Sequence, residues 1–256
     1  MKSWTGVGGA YAESYAELCA GTVDVLIDLL GDPAGRRLID VGSGTGDLAA
    51  RLADAGWQAS GCEPEPTMRA VSAHRHPDLP VVDGGLPALP FAPGSFEVAT
   101  ANFVLNHVDD PRLSARGMAE VVAPRGLLAA SCWTVSPSWF WRDVRERAGV
   151  GPESEQRIHP DKDFARTGDG FGRMLTEGDW QDVEVSESTW TWRIDADRLW
   201  RSAEGGVASA GQFYLGLDDE GRRRFRRAFD AVCAEYEADG ALALEHTAAV
   251  AVGRAA

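Results

Sequence analysis

The sequence predicts an α/β fold, a doubly wound and mostly parallel sheet of seven strands with helices on both faces and a helical cap. Two observations carry this prediction. Apolar strand-like segments alternate with helix-like segments between residues 38 and 132, and that alternation builds parallel sheets. Gly42, Gly44 and Gly46 separate the first apolar run from a helical pattern, so a strand, a tight turn and a helix follow one another.

Each strand is predicted from an apolar run or from alternation. The expected strands lie at residues 38–41, 57–62, 79–82, 95–101, 127–132, 182–194 and 242–252. In the sixth, apolar residues alternate with polar ones, first at Val183 and Val185 and then at Trp190 and Trp192, as in a strand with one polar face. This sixth strand has a polar face, whereas the other strands are expected to be buried. The sheet is therefore expected to hold most of the core.

Each helix is predicted from apolar spacing and from its stop signals. The expected helices lie within residues 1–35, just after Gly46, from Pro66 to near His76, from Pro111 onward, and at 136–148, 196–203 and 218–238. Proline opens two of them, and Gly31 with Pro33 ends the first. The last helix carries Phe225 and Phe229 at helical spacing.

The chain is expected to form one domain over residues 1–256. Within it, residues 1–35 are expected to form a helical lid, and residues 36–135 are expected to form the cofactor-binding half. Residues 136–180 and 195–240 predict helical or irregular insertions on the substrate side, with an irregular stretch at 153–172. The acceptor of any reaction is therefore expected to meet the later part of the chain.

The bulk composition excludes several partners. The chain has 256 residues, 44% apolar content and a formal net charge of -14, which suits a globular enzyme and not a protein that neutralises nucleic-acid phosphates. Its four cysteines lie far apart and match no metal or redox spacing. The sequence has no apolar leader and no membrane-length apolar run, so we expect a cytoplasmic protein, a monomer or homodimer, without a metal.

The glycine turn predicts a nucleotide cradle. Glycine allows positive φ and close approach of a ligand to the main chain, and Glu63 ends the second strand, where open α/β sheets hold ligands. Gly44, Gly46 and Ala49 satisfy the weaker alanine form of the dinucleotide fingerprint. Asp40 just before the turn is an odd neighbour for a pyrophosphate and suits a cofactor with a cationic amino-acid end, such as S-adenosylmethionine.

Further motifs along the chain decide between these two cofactors. With these motifs, the chain resembles the class I S-adenosylmethionine-dependent methyltransferases of the small-molecule type. The matching segments are residues 38–46, 61–63 with Met68, 89–91 with 94–97, 104–108 and 120–126. They occur in the family's order and cover about residues 10–135. The resemblance implies a Rossmann-like fold and S-adenosyl-L-methionine as the cofactor.

The resemblance also implies the residues that hold this cofactor. They are Asp40, Gly42, Gly44 and Gly46 around its methionine end, Glu63 on the ribose hydroxyls, Pro64 or Met68 beside adenine, and Asn102 and Phe103 beside the sulfonium. One position departs from the family pattern, since Gly85 stands where members often carry an acid that contacts the adenine amine. Adenine is then held either by Asp83 or by the backbone of Gly85 and Leu86.

A general base is optional for methyl transfer, because positioning supplies most of the acceleration. His107, in the loop after the fourth strand, and His159, in the irregular insertion, are the candidates. Structural or surface roles are expected for the remaining histidines, including His246 in the last strand.

Aromatic residues predict the acceptor. Tyr11 and Tyr15 in the lid, with Trp133 and Trp139 after the fifth strand, are candidate substrate residues. We expect a hydrophobic small molecule as the partner, with O-methylation of a secondary metabolite as the reaction. N- or C-methylation, other chemistry such as cyclisation, and a non-catalytic cofactor-binding subunit are the alternatives.

Overall fold

A central sheet organises the protein, for which a computed structural model describes residues 4–151 and 158–256. The strands are β1 Arg37–Val41, β2 Gln58–Cys62, β3 Val81–Val82, β4 Phe96–Asn102, β5 Val122–Trp133, β6 Trp180–Ile194, β7 Glu237–Ala238 and β8 Ala241–Ala255. Their order is β3-β2-β1-β4-β5-β8-β6, with β7 paired to β8. In this order, every neighbouring pair between β3 and β5 is parallel, and β8 runs antiparallel to its neighbours β5 and β6.

The predicted doubly wound, mostly parallel sheet is confirmed, but in the part of the chain that the structure describes it has eight strands and not seven. The additional strand is β7, which forms a two-residue hairpin with the start of β8. Asp239 and Gly240 make the turn with φ values of 53° and 77°. Such Asp-Gly pairs favour the turn that suits the twist of a hairpin, so the sequence carried a signal for this strand.

Helices lie on both faces of the sheet and form the cap. They are α1 Gly8–Glu13, α2 Tyr15–Cys19, α3 Val23–Leu30, α4 Asp47–Asp54, α5 Pro66–Arg75, α6 Pro111–Val121, α7 Trp139–Ala148, α8 Gly168–Glu177, α9 Ala196–Glu204, α10 Ala208–Leu215 and α11 Asp219–Tyr236, with a 3-10 helix Ala20–Thr22 after α2. Within the described ranges, no helix has the length and apolarity needed to cross a membrane.

Polar caps fix where the helices begin. Glu65 accepts a hydrogen bond from Thr67 N at the start of α5, and Asp110 accepts from Leu113 N at the start of α6. Both helices then open on proline, whose fixed φ suits the first helical position. At α9, Asp195 accepts from two main-chain N–H groups, so local sequence sets the boundaries on both sides of the sheet.

The core lies on both faces of the sheet because successive strand residues point to opposite sides. In β1, Leu38 packs with Leu26 of α3, whereas Ile39 packs with Met118 of α6. A third cluster, with Trp133 at the end of β5, joins the cap helices to the sheet. That cluster lies at the carboxyl edge of β5, where open α/β sheets bind ligands.

The later part of the chain differs from expectation in two places. Helix α10 was not expected, and α8 begins at Gly168 inside the stretch expected to be irregular. Thr167 caps α8 by accepting from Gly170 N, which explains the start of that helix. Residues 153–157 of the same expected stretch fall outside the described residues.

Candidate active site

The glycine turn joins β1 to α4 and contacts the end of β2. Gly42 N and Ser43 N donate to the carbonyl oxygen of Cys62 at 2.8 and 3.2 Å. Gly42, Gly44 and Gly46 have φ values of 68°, 54° and 83°, a region that residues with a Cβ avoid. The turn therefore requires glycine three times, as the spacing predicted.

The three glycines differ in what surrounds them. A Cβ on Gly42 would lie 2.6 Å from Val104 Cγ2, and one on Gly46 would overlap Ser72 Oγ, so the protein itself fills both places. At Gly44 a Cβ would meet only Tyr11 Cε1, at 3.8 Å. Gly44 is thus the glycine whose main chain faces open space, and it provides the close approach that a ligand needs.

Glu63 is tied to this turn at the carboxyl end of β2. Its Oε2 accepts from Gly44 N and its Oε1 accepts from Glu65 N, both at 2.9 Å. Burial raises the pKa of this carboxyl, against the two backbone hydrogen bonds, which lower it. The Glu63 side chain is therefore held in one place beside Gly44.

Asp40 lies beneath the turn with its side chain buried. Thr100 Oγ1 donates to Asp40 Oδ1 at 2.7 Å. Burial raises the pKa of Asp40 to about 7, although the Thr100 hydrogen bond lowers it. A buried carboxyl in this state gains from a cationic neighbour, because a cation restores the charged form.

Asn102, at the end of β4, connects the sheet to the amino-terminal segment. Its Nδ2 donates to the Cys19 carbonyl at 2.9 Å, and its Oδ1 accepts from Thr22 Oγ1 at 2.8 Å and from Ser131 Oγ at 2.5 Å. Three elements therefore meet at this amide.

Phe103 follows Asn102 and opens onto aromatic side chains. It adopts a φ of 58°, and Ser131 Oγ accepts a hydrogen bond from its N–H at 3.0 Å. Its ring stacks on Trp133 with centroids 3.8 Å apart and planes 10° apart. Strain of this kind at a strand end is common at functional sites.

The aromatic cluster beyond Phe103 comprises Trp133, Trp139, Trp190, Trp192 and His246. The His246 ring lies 5.8, 6.4, 6.1 and 6.0 Å from these four tryptophans in turn, between ring centroids. Burial lowers the pKa of His246 to about 4, so its ring is neutral near pH 7. The expected residues Trp133 and Trp139 thus lie in one cluster with three residues that were not expected in the site.

The two lid tyrosines face different neighbours. The Tyr11 ring lies against Gly44, and its hydroxyl shares a hydrogen bond with the thiol of Cys19. The Tyr15 hydroxyl accepts from Trp141 Nε1 at 2.9 Å, and its ring lies 5.6 Å from Trp192. Tyr11 therefore lies beside the glycine turn and Tyr15 beside the aromatic cluster.

The two candidate bases are placed very differently. His107 lies in the loop after β4, partly buried, with its ring 5.2 Å from that of Trp4. The side chain of His159 is 70% exposed, and its Nδ1 lies 3.5 Å from Asp161 Oδ2. His107 therefore shares the loop of Phe103, and His159 lies on the surface.

The residues expected beside adenine are only partly brought together. Gly85 faces Pro64, since a Cβ on Gly85 would lie 3.3 Å from Pro64 Cγ. Leu86 packs instead against the apolar cluster that contains Met118 of α6. Buried Met68 belongs to the cluster that includes residues of the amino-terminal segment. Asp83 pairs with both terminal nitrogens of Arg69 at 3.0 Å, which leaves Pro64 and Gly85 as the facing pair.

These residues fit S-adenosylmethionine by two tests. The main chain at Gly44 faces space that a Cβ would fill, beside an anchored carboxylate. Ser43 Oγ and Ser72 Oγ, next to the turn, are buried and have no hydrogen-bond partner within the described residues, and such atoms in native proteins call for a partner.

A methyltransferase-domain family model matches residues 39–130, which contain the turn, Glu63 and Phe103. Residues 39–130 are therefore similar to the methyltransferase domain of the class I S-adenosylmethionine-dependent methyltransferases, and this similarity supports S-adenosylmethionine as the cofactor.

Similar proteins were found among both sequences and structures. The chain is 34% identical to the demethylmenaquinone methyltransferase of Renibacterium salmoninarum over 42% of this chain and 45% of that protein. It is 36% identical to the protein of the same name from Beutenbergia cavernae, over 43% and 46%. The chain thus spans about half the length of the curated relatives it matches.

The fold likeness extends much further along the chain. The YcgJ protein of Bacillus subtilis has a TM-score of 0.58 and 16% identity, with 91% of this chain and 97% of that chain covered. This likeness concerns the fold. The family model ends at residue 130, before Trp133, so the aromatic cluster lies outside the matched domain.

Proposed function

We propose that this protein transfers the methyl group of S-adenosylmethionine to a hydrophobic aromatic small molecule. The observation that carries the proposal is the contact of Phe103 with Trp133. Phe103 follows the strand end expected beside the methyl group, and Trp133 begins the buried aromatic cluster. An apolar mouth with few polar groups favours an apolar ligand.

The donor side is proposed to act by binding and orientation. The Gly44 main chain and the fixed carboxylate of Glu63 hold the nucleoside and amino-acid parts, and Asp40 supplies negative charge below them. When bound, the cofactor supplies an electrophilic methyl group on a positively charged sulfur. These contacts fix the direction in which an acceptor must approach, and such alignment is worth effective molarities of about 10⁵ to 10⁸ M.

Oxygen is our proposed accepting atom, in a secondary metabolite or similar phenolic compound. For a hydroxyl acceptor, His107 is favoured over His159 as the group that removes the proton. His107 lies in the same loop as Phe103, and His159 is 70% exposed beside Asp161. General-base help of this kind is worth about 10² to 10⁴ in rate.

Methylation of a ring carbon is a second candidate. Two relatives that match this chain are named demethylmenaquinone methyltransferase, and such names favour an aromatic or quinone-like ring as acceptor. The match covers less than half of each chain, so it bears on the donor side more than on the accepting atom.

We also propose that residues 4–30 form a lid over the site. Gly6 N donates to Glu65 Oε1 at 3.2 Å and Gly8 N donates to Thr67 Oγ1 at 3.0 Å, which fixes one end. Asn102 holds the other end at Cys19. A cytoplasmic location is proposed because all four cysteines are free, as in reducing compartments.

Labelled cofactor with a panel of acceptors tests the function. Phenols, naphthols and naphthoquinones should become labelled, and Phe103→Ala should lower the rate of methyl transfer. Mass spectrometry and NMR of the product separate O- from C-methylation. Phe91 packs on Phe96 at the start of β4, away from Phe103, so Phe91→Ala serves as the control. Transfer only to charged amines or to protein would refute the proposal.

A further inference from the structure

We propose that His246, Trp190 and Trp192 form the binding site for an oxygen atom on a planar aromatic ring. This inference rests on the proposed function, because it names the class of acceptor for the same active site. It assigns a ligand contact to a histidine that the sequence predicts to be structural.

Hydrogen bonding supplies the first argument. Nε2 of His246, Nε1 of Trp190 and Nε1 of Trp192 are buried and have no hydrogen-bond partner within the described residues. The next residue after Trp133, Thr134, has its Oγ1 in the same state. Buried polar atoms in native proteins are nearly always paired, so a concentration of unpaired atoms in one aromatic cluster indicates a missing partner.

Topology supplies the second argument. In the β5–β8 ladder, Trp133 is opposite Ala248, so His246 lies two residues beyond the end of β5. His246 is opposite Trp190 in the β8–β6 ladder. Because β8 runs antiparallel, this pair overhangs the carboxyl edge of the parallel strands, where the donor turn and Phe103 also lie.

The chemistry of these atoms selects the ligand. Indole N–H groups only donate, and a neutral imidazole nitrogen either donates or accepts according to its tautomer. The burial of His246, with 4% of its surface exposed, keeps the ring neutral and disfavours a charged ligand. An oxygen of a phenol or quinone satisfies both kinds of partner, and its flat ring packs against the tryptophans.

The cover of this site is the 3-10 helix Ala20–Thr22. A Cβ on Gly21 would overlap the Trp190 indole at Nε1, so glycine lets the segment lie directly on that ring. Ring centroids of Trp133, Trp190 and His246 are 5.6 to 6.1 Å apart. A ligand ring therefore enters by displacing this segment and reaches the unpaired nitrogens.

The test compares 1-naphthol with naphthalene, which share a shape and differ in one hydroxyl. Equilibrium dialysis without cofactor should show that the protein prefers 1-naphthol by about three- to tenfold, the value of one neutral hydrogen bond. His246→Phe should remove that preference and leave the naphthalene affinity unchanged. Equal binding of both probes by the unaltered protein, or a preference that survives in His246→Phe, overturns the proposal.

A matched pair of tryptophan variants adds a second decision. Trp192 and Trp57 are both 3% exposed with an unpaired buried Nε1, but Trp57 lies in the α3 cluster away from His246. Trp192→Phe should weaken 1-naphthol binding, and Trp57→Phe should not. Equal effects of the two variants would count against the site, and this pair decides the matter if His246→Phe does not fold.

Binding and turnover fail separately. If 1-naphthol binding depends on His246 but no acceptor is methylated, the site stands and the proposed function fails. If methyl transfer occurs and His246→Phe binds 1-naphthol as before, the function stands and the site fails.

Discussion

The carboxylate of Glu63 accepts a hydrogen bond from the main-chain N–H of Gly44 at 2.9 Å. One side chain at the end of β2 thus holds the only turn glycine whose Cβ position is not filled by Val104 or Ser72. The acid that the sequence predicts for a ribose thus also holds the glycine turn in place.

Replacement of this acid should weaken cofactor binding. Glu63→Ala leaves the N–H groups of Gly44 and Glu65 without their acceptor, and it should lower the affinity for S-adenosylhomocysteine by about 1 to 3 kcal/mol. Titration calorimetry measures this loss. Glu97→Ala, which removes a partly exposed partner of Arg37, should leave the affinity unchanged, and an unchanged affinity in Glu63→Ala would contradict the assignment.

Two glycines of the turn should respond differently to alanine. Gly44→Ala should reduce cofactor affinity with a stability loss of about 1 to 2 kcal/mol for its positive φ, because only Tyr11 is near its Cβ. Gly46→Ala should destabilise the fold more, since its Cβ overlaps Ser72 Oγ. Urea unfolding and calorimetry separate the effects, and identical stability losses would show that Gly44 is as crowded as Gly46.

The stability of the protein should depend on pH through two opposing groups. The folded protein keeps a proton on Asp40 between pH 3.8 and about 7 that the unfolded chain has lost, so this group makes stability fall as pH rises. His246 is neutral in the folded protein between about pH 4 and 6.5, where the unfolded chain binds a proton, so it makes stability rise. Each slope reaches about 1.4 kcal/mol per pH unit, and the two oppose each other.

Single variants should reveal each slope. As pH rises from about 4.5 to about 6, the stability of Asp40→Asn relative to the unaltered protein should increase. Over the same range, the relative stability of His246→Phe should decrease. Urea unfolding free energies at several pH values measure both. Parallel profiles in all three proteins would contradict the pKa shifts.

Gly21 should tolerate a side chain poorly, because it lies directly on the Trp190 indole. Gly21→Ala places a Cβ on the Trp190 indole, so near-UV circular dichroism should change and stability should fall. Gly9, in α1, has no heavy atom within 4 Å of its Cβ position. Gly9→Ala should therefore be neutral or stabilise by up to about 1 kcal/mol, and an unchanged spectrum in Gly21→Ala would refute the close contact.

The donor side of the site could be predicted from sequence because its signals are local. Three glycines, Asp40 and Glu63 lie within one strand-turn-helix-strand unit, and the structure places them together. Thr100 and Ser131 were missed, since a hydroxyl on a neighbouring strand carries no local pattern. Their positions follow only from the β1–β4–β5 order.

The aromatic side could not be predicted in full because it depends on distant pairing. Trp133 and Trp139 were expected from their place after the fifth strand, but Trp190 and His246 meet through a ladder between β6 and β8. The sequence reveals neither that register nor the overhang beyond β5. Helix α10 was missed for a related reason, since its apolar residues do not follow one clear face.

The position of β8 between β5 and β6 has a consequence for how acceptor preference can diverge. Trp190, Trp192 and His246 all belong to residues 180–255, a single stretch that begins with β6, includes α9 to α11 and ends with β8. The glycine turn and Glu63 lie wholly outside it. Exchange of that one stretch between related enzymes should therefore change the proposed contacts to the acceptor oxygen while the donor machinery stays intact.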